Sequence, residues 1–262
     1  MMQGSSGVEG GLRRDCMIVL AGLVTISAFA WAYLIHLTFQ MGTMEMAMDM
    51  ATCVQTWTIM DLVLLFVMWA VMMVAMMVPT ATGMILAFAT INRRRRAQGQ
   101  PYVGTAVFLG GYVVVWAGFS VLATLAQWGL HAAALLSPMM VSTSPIIGGV
   151  LLLSAGVFQW TPLKHVCLKQ CRSPLGFLMT DWREGPRGAL IMGLRHGIYC
   201  TGCCGFLMAL LFVVGVMNLL WVATLILLVL VEKVVPGGEI VGRAAGGVLV
   251  IAGLVLLGQR LR

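Results

Sequence analysis

Charge is scarce in this 262-residue chain: Asp, Glu, Lys and Arg together make up 10% of it, where a soluble domain carries about 25%. Hydrophobic residues fill 60%, with 31 glycines uncounted, against the usual share of about 45 to 50%. So little polar surface cannot clothe a water-soluble body of this size, and the excess apolar area faces lipid. A soluble enzyme, a disordered chain and a free nucleic-acid-binding domain are thereby excluded. The formal net charge of +7 then belongs to the basic flanks of membrane spans rather than to a nucleic-acid surface. Also missing is any Gly-x-x-x-x-Gly-Lys-Ser/Thr loop, so no nucleotide is expected as a ligand, and pumping driven by ATP would need a partner.

Runs of about 20 apolar residues, the length that crosses a bilayer core of about 30 Å, fall near 16–39, 57–80, 104–128, 145–163, 189–216, 219–234 and 240–258. They predict an all-α, polytopic transmembrane helical bundle of about seven spans. A six-span alternative would lay 240–258 on the membrane surface. The second and third runs continue to about 91 and 136 and are expected to tilt or project. Residues 1–15 read as a cytoplasmic N-terminal tail and 16–262 as one transmembrane domain. Ala28-Phe29-Ala30 resembles a signal cleavage site, but apolar character continues to Phe39, which favours an uncleaved anchor.

Lys and Arg are absent from 40–56 and 129–145. By contrast Arg13 and Arg14, Arg93 to Arg96, and Lys164, Lys169, Arg172, Arg183 and Arg187 cluster on the opposite set of loops. The positive-inside rule therefore predicts a cell (inner) membrane protein with a cytoplasmic N-terminus. Arg260 and Arg262 are the exceptions.

Sulfur is abundant: seven cysteines and 21 methionines. The cysteines, at 16, 53, 167, 171, 200, 203 and 204, are too few and too unevenly spread for a disulfide framework. Met44, Met46, Met48 and Met50 alternate with Glu45 and Asp49 in the outer loop. They would line one side of an extended chain, or pair as 44/48 and 46/50 on a helix. Thioethers are soft ligands that favour Cu(I); the plainer reading is flexible apolar filler at the membrane interface. Met68, Met72 and Met76 form a helical stripe that Met73 and Met77 widen, either packing or an inward continuation of the outer methionines. Asp61 near the same end is an intramembrane carboxylate and so a functional candidate, or a solvated group at the interface.

The fifth run contains Arg195-His196-Gly197-Ile198-Tyr199-Cys200-Thr201-Gly202-Cys203-Cys204. At about 100° per residue, the three cysteines lie within about 80° of His196 on a helix. An imidazole and three thiols on one face in lipid demand partners, and a soft metal ion supplies them; thiol redox chemistry and packing are the alternatives. Cys167 and Cys171, four residues apart between Pro162 and Pro174, are expected on a short discrete helix at the cytoplasmic exit of the fourth span, contributing to that site or forming a second one. His165 faces away from both and is the weaker ligand. Arg195 and Glu232 complete the functional candidates. Zinc also suits Cys and His but leaves the methionines unexplained.

The stretches Met68 to Pro79, Thr161-Pro162-Leu163-Lys164 through Cys167 and Cys171, Arg172 to Phe177, Gly193 to Gly197 through Cys200, Cys203 and Cys204, Gly215 to Leu219, and Glu232-Lys233 together resemble an uncharacterised family of predicted metal-binding integral membrane proteins, some of them labelled copper chaperones. The resemblance covers most of 57–237; the Met44 to Met50 loop and residues 1–15 lie outside it. It implies a metal role. With the sulfur pattern it leads to the expectation of a non-enzymatic Cu(I) transporter or membrane chaperone, partnered by a copper chaperone or a membrane cuproenzyme complex. A membrane thiol-disulfide oxidoreductase and an accessory subunit of a membrane complex remain as alternatives.

Overall fold

The computed structural model describes residues 3–48, 58–133, 144–216 and 218–259, with side chains in the first stretch described from 14 to 40. All regular structure among them is helical: α1 (Gln3–Met48), α2 (Ile59–Ala97), α3 (Thr105–Ala132), α4 (Pro145–Phe158), α5 (Pro162–Arg172), α6 (Pro174–Asp181), α7 (Gly185–Ala209), α8 (Leu211–Val214), α9 (Leu219–Val234) and α10 (Gly238–Gly258). In lipid a backbone without water must bond to itself, which makes an apolar run a helix wherever it is long enough.

Five helical stretches are long and apolar enough to cross a membrane: Arg14–Gln40, Ile59–Ala97, Thr105–Ala132, Gly185–Val214 and Gly238–Gly258. The pair α4 and α5, bent by 65° at their junction, makes a sixth if it is counted as one broken span. The expected seventh run, 219–234, forms the 16-residue α9, about 24 Å long at 1.5 Å per residue and short of a full bilayer core. The 240–258 run is part of a 21-residue helix of spanning length, and α9 is the short element. Residues 3–15, expected as a separate tail, are continuous with α1. Outward faces of α1 and α10 are richly apolar, with Phe29 and Ile240 both more than 70% exposed, the surface a lipid-facing helix presents.

Two glycine-lined crossings set the packing. Gly111 of α3 and Gly193 of α7 meet so closely that a Cβ on Gly193 would overlap the Phe108 carbonyl oxygen and one on Gly111 the Leu190 carbonyl oxygen. At the α4–α10 crossing, Gly156 and Gly246 sit against each other's backbone. Small residues allow this approach where lipid offers no hydrophobic drive for helices to associate. α2 packs against both α1 and α3, while α5 folds onto α7.

All five ion pairs among the described residues gather toward one end of the bundle. Asp15 at the start of α1 meets Arg93 near the end of α2; Arg95 meets Glu184 just before α7; Asp181 at the end of α6 meets Arg195. Lys164 of α5 meets Glu232 near the end of α9, and His165 meets Glu239 at the start of α10. α1, α3, α7 and α10 therefore run away from that end, and α2 and the shorter α4 and α9 run back toward it.

Candidate metal site

The site is built on α7, where Cys200, Cys203 and Cys204 are each no more than 1% exposed. Their spacing gives them one face, and the α3–α7 crossing decides what that face meets. Gly197 sits against Val115 and the Tyr112 carbonyl, and this close approach brings the Tyr112 hydroxyl to 3.1 Å from Cys200 Sγ. The same hydroxyl donates to the Met77 carbonyl at 3.0 Å. That carbonyl also accepts from Thr80 Oγ1 at 2.9 Å, in the turn of α2 where Pro79 removes a rung of the helical ladder. Met77 reaches the cluster as well, its Sδ 3.8 Å from Cys204 Sγ.

α5 supplies the fourth thiol. The bend after α4 turns this helix back onto α7. Thr161 caps it through the Lys164 amide, and Pro162 stands at its first turn, a start in which the missing proline N–H costs nothing. Cys171 Sγ comes to 3.9 Å from Cys203 Sγ. Cys167 Sγ lies against Gly202, where a Cβ would be 2.8 Å from it. The short helix expected between Pro162 and Pro174 therefore exists, and of the two arrangements expected for its cysteines the geometry is that of a contribution to the α7 thiols: Cys171 stands beside Cys203, and Cys167 beside Gly202. The Cys203 and Cys204 thiols donate to the Cys200 carbonyl at 3.1 and 2.9 Å. None of the described cysteines is in a disulfide.

The chemistry available is that of closely set sulfur. Two thiolates on one tetrahedral ion with bonds of about 2.3 Å stand about 3.8 Å apart, and the Cys171–Cys203 separation matches that edge. Among the described residues no three His, Cys, Asp or Glu side chains are already set around one ion. The arrangement is a sulfur pair with further thiols and a thioether beside it, a donor set of the kind soft ions take.

His196 shares the α7 face, one turn from Cys200, but is walled by aromatic rings: Tyr112, Phe177 and Phe108 at centroid distances of 5.4, 5.9 and 6.2 Å. Both of its ring nitrogens are buried without a hydrogen-bond partner. Met68, Met72 and Met76 are buried in the core; the thioether touching the thiols is that of Met77, at the edge of the stripe. Backbone over 44–48 is helical, the register that sets Met44 and Met48 one turn apart. The side chains of Met44, Met46 and Met48, and all of Met50 and Cys53, lie outside what the structure describes.

The other candidates have structural partners. Asp61 closes a capping box at the start of α2, accepting from Thr58 N at 2.8 Å and Thr58 Oγ1 at 2.7 Å, which accounts for a carboxylate at that position. Arg195 pairs with Asp181, and His165 stands between Glu239 and Arg243 of α10, facing away from the thiols. Glu232 accepts from Lys164 Nζ through both oxygens, at 2.7 and 2.8 Å.

Residues 66–256 match the PpoB2 family, described as copper chaperone. The chain belongs to that copper chaperone family. No curated protein and no solved structure matches it. The copper chaperone match encloses every element of the thiol cluster, from Met77 on α2 to α9, and excludes Met44 to Met50. Three groups at this site carry no role in the sequence reading: Tyr112, Thr80 and Lys233, the last of which appears there only among the residues of the family resemblance. A lysine within an apolar run is the signal that marks such a group, because an ammonium in lipid needs a partner.

Proposed function

We propose that this member of the copper chaperone family binds Cu(I) as cargo at the Cys171/Cys203 pair, with Cys200, Cys204 and Met77 as neighbouring donors, and passes it on as a membrane copper transporter or chaperone. The observation that carries the reading is the 3.9 Å approach of two thiols from separate helices inside a buried sulfur cluster. The family's description as copper chaperone supports the choice of metal. His196, unpartnered and one turn along the same face, is the next donor toward the charged end. The protein acts as a carrier, not an enzyme. It lies in the cell (inner) membrane with its N-terminus and the ion-paired end in the cytoplasm, as the arginine distribution supports.

Cu(I) is captured at Met44 to Met50, moves along Met68, Met72 and Met76, and reaches the thiols through Met77. Thioethers hold it more loosely than thiolates, so each step runs downhill. Release takes a thiol-bearing acceptor at the inner face, a soluble copper chaperone or a membrane cuproenzyme complex. The test is Cu(I) titration of the purified, reduced protein against a competing chelator, wild type beside C171S and C203S. Tight uptake by wild type that either substitution abolishes is expected; equal uptake by all three overturns the assignment.

The same pair favours a second reading, a thiol-disulfide oxidoreductase in which Cys171 and Cys203 cycle between dithiol and disulfide. Mass spectrometry of thiol state against metal content separates the two. A redox protein as isolated carries the disulfide without metal, whereas a carrier holds copper on reduced thiols. An accessory subunit with purely structural sulfur would keep its function when the cysteines are replaced by alanine.

A further inference from the structure

Glu232 and Lys233 are adjacent in sequence and both buried, at 1% and 7% exposure, yet their hydrogen bonds lead in different directions. Successive positions on a helix point about 100° apart. Glu232 is taken by Lys164, whose ammonium also bonds Gln159. Lys233 turns to the sulfur cluster instead: its Nζ donates to Cys200 Sγ at 3.0 Å and to Thr80 Oγ1 at 3.0 Å. A buried ammonium without compensation is strongly destabilising, and the compensation here is sulfur.

We propose that Lys233 is the specificity-determining residue of the cluster, a tethered cation whose fixed positive charge admits a monovalent ion to the thiolates and rejects a divalent one. The inference rests on the reading of the cluster as a Cu(I) site. Two thiolates holding Cu(I) carry one net negative charge, which a single ammonium cancels. The same two thiolates holding Zn(II) are already neutral, and the ammonium then stands beside them as an unpaired charge. Coulomb repulsion between Lys233 and the bound ion also doubles from a monovalent to a divalent ion at the same position. Discrimination against zinc thus comes from a residue that never touches the metal, in a site whose thiols alone would accept either ion.

The experiment measures Cu(I) and Zn(II) affinities of the purified, reduced full chain by competition with chelators, for wild type, K233M, K233R and T80D. K233M removes the charge while keeping an unbranched side chain. T80D leaves the lysine in place and sets a carboxylate beside its Nζ, so it reaches the same end without emptying the site; thermal unfolding identifies which variants are folded, and either neutralising variant suffices. In K233M and T80D the preference for Cu(I) over Zn(II) is expected to fall by at least about tenfold, the change that about 1.4 kcal/mol produces, through tighter zinc binding; K233R keeps the wild-type preference. A ratio in the folded neutralising variants equal to that of wild type overturns the role of Lys233 while leaving the Cu(I) site standing. Failure of wild type to take up Cu(I) at all overturns both.

Discussion

At the scale of single residues, the molecule places its few charges so that each buried one meets a specific counterpart. Lys164 and Glu232 are 3% and 1% exposed and meet at 2.7 Å. E232Q leaves the Lys164 ammonium without its counter-charge and is expected to cost about 3 to 5 kcal/mol of stability. The double variant K164M/E232M, which removes both charges, is expected to lie much closer to wild type, because replacing a whole buried pair by apolar groups is often neutral. Denaturant unfolding in detergent checks both; equal losses in the single and double variants would show that the pair is not what the charges are held by. Residue-level sequence reading selected Glu232 but assigned it to function, since a single position cannot reveal that its partner lies 68 residues away.

At the scale of elements, the crossing of α3 and α7 matters more than the composition of either helix. A methyl on Gly193 would fall on the Phe108 carbonyl oxygen, so the two backbones must part to admit it. G193A is expected to cost about 1 to 3 kcal/mol and to weaken Cu(I) binding by drawing Tyr112 away from Cys200. G118A, on α3 with nothing within 4 Å of the added carbon, is expected to stabilise by up to about 1 kcal/mol through helix propensity alone. Thermal unfolding and Cu(I) titration of the two alanine variants distinguish a packing contact from a generic effect of glycine. The methionines of α2 are tested at the same scale. M72L/M76L conserves volume and is expected to cost under about 1.5 kcal/mol per site while slowing copper movement in reconstituted vesicles. M77L is expected to weaken binding at the thiols themselves. Wild-type movement by a folded M72L/M76L would make the stripe packing and the protein a one-sided binder.

At the scale of the whole molecule, the ion-paired end and the end bearing Ala132 define the two sides. Arg94 and Ala132 are both exposed and lie at opposite ends of α2 and α3, which makes them better reporters than the buried Cys167 and half-buried Cys171. A membrane-impermeant thiol reagent applied to intact cells is expected to label A132C and spare R94C. The reverse pattern overturns the orientation and with it the inward direction of copper movement.

What the sequence determined by itself was the class and the chemistry: a helical membrane bundle, a basic end, a face of cysteines on α7 and a short helix between two prolines. These were legible because lipid constrains the chain locally. Every apolar run has to satisfy its own backbone, and residues one turn apart on a helix share a face whatever surrounds them. Only the tertiary structure decided that Cys171 folds back to Cys203, that Met77 and Tyr112 complete the cluster, and that Glu232 and Lys233 part company. Each of these depends on the bend after α4 and on how closely glycines let two helices cross. Such contacts join residues 32 to 153 positions apart, and no periodicity within a single helix records which face of another it will meet.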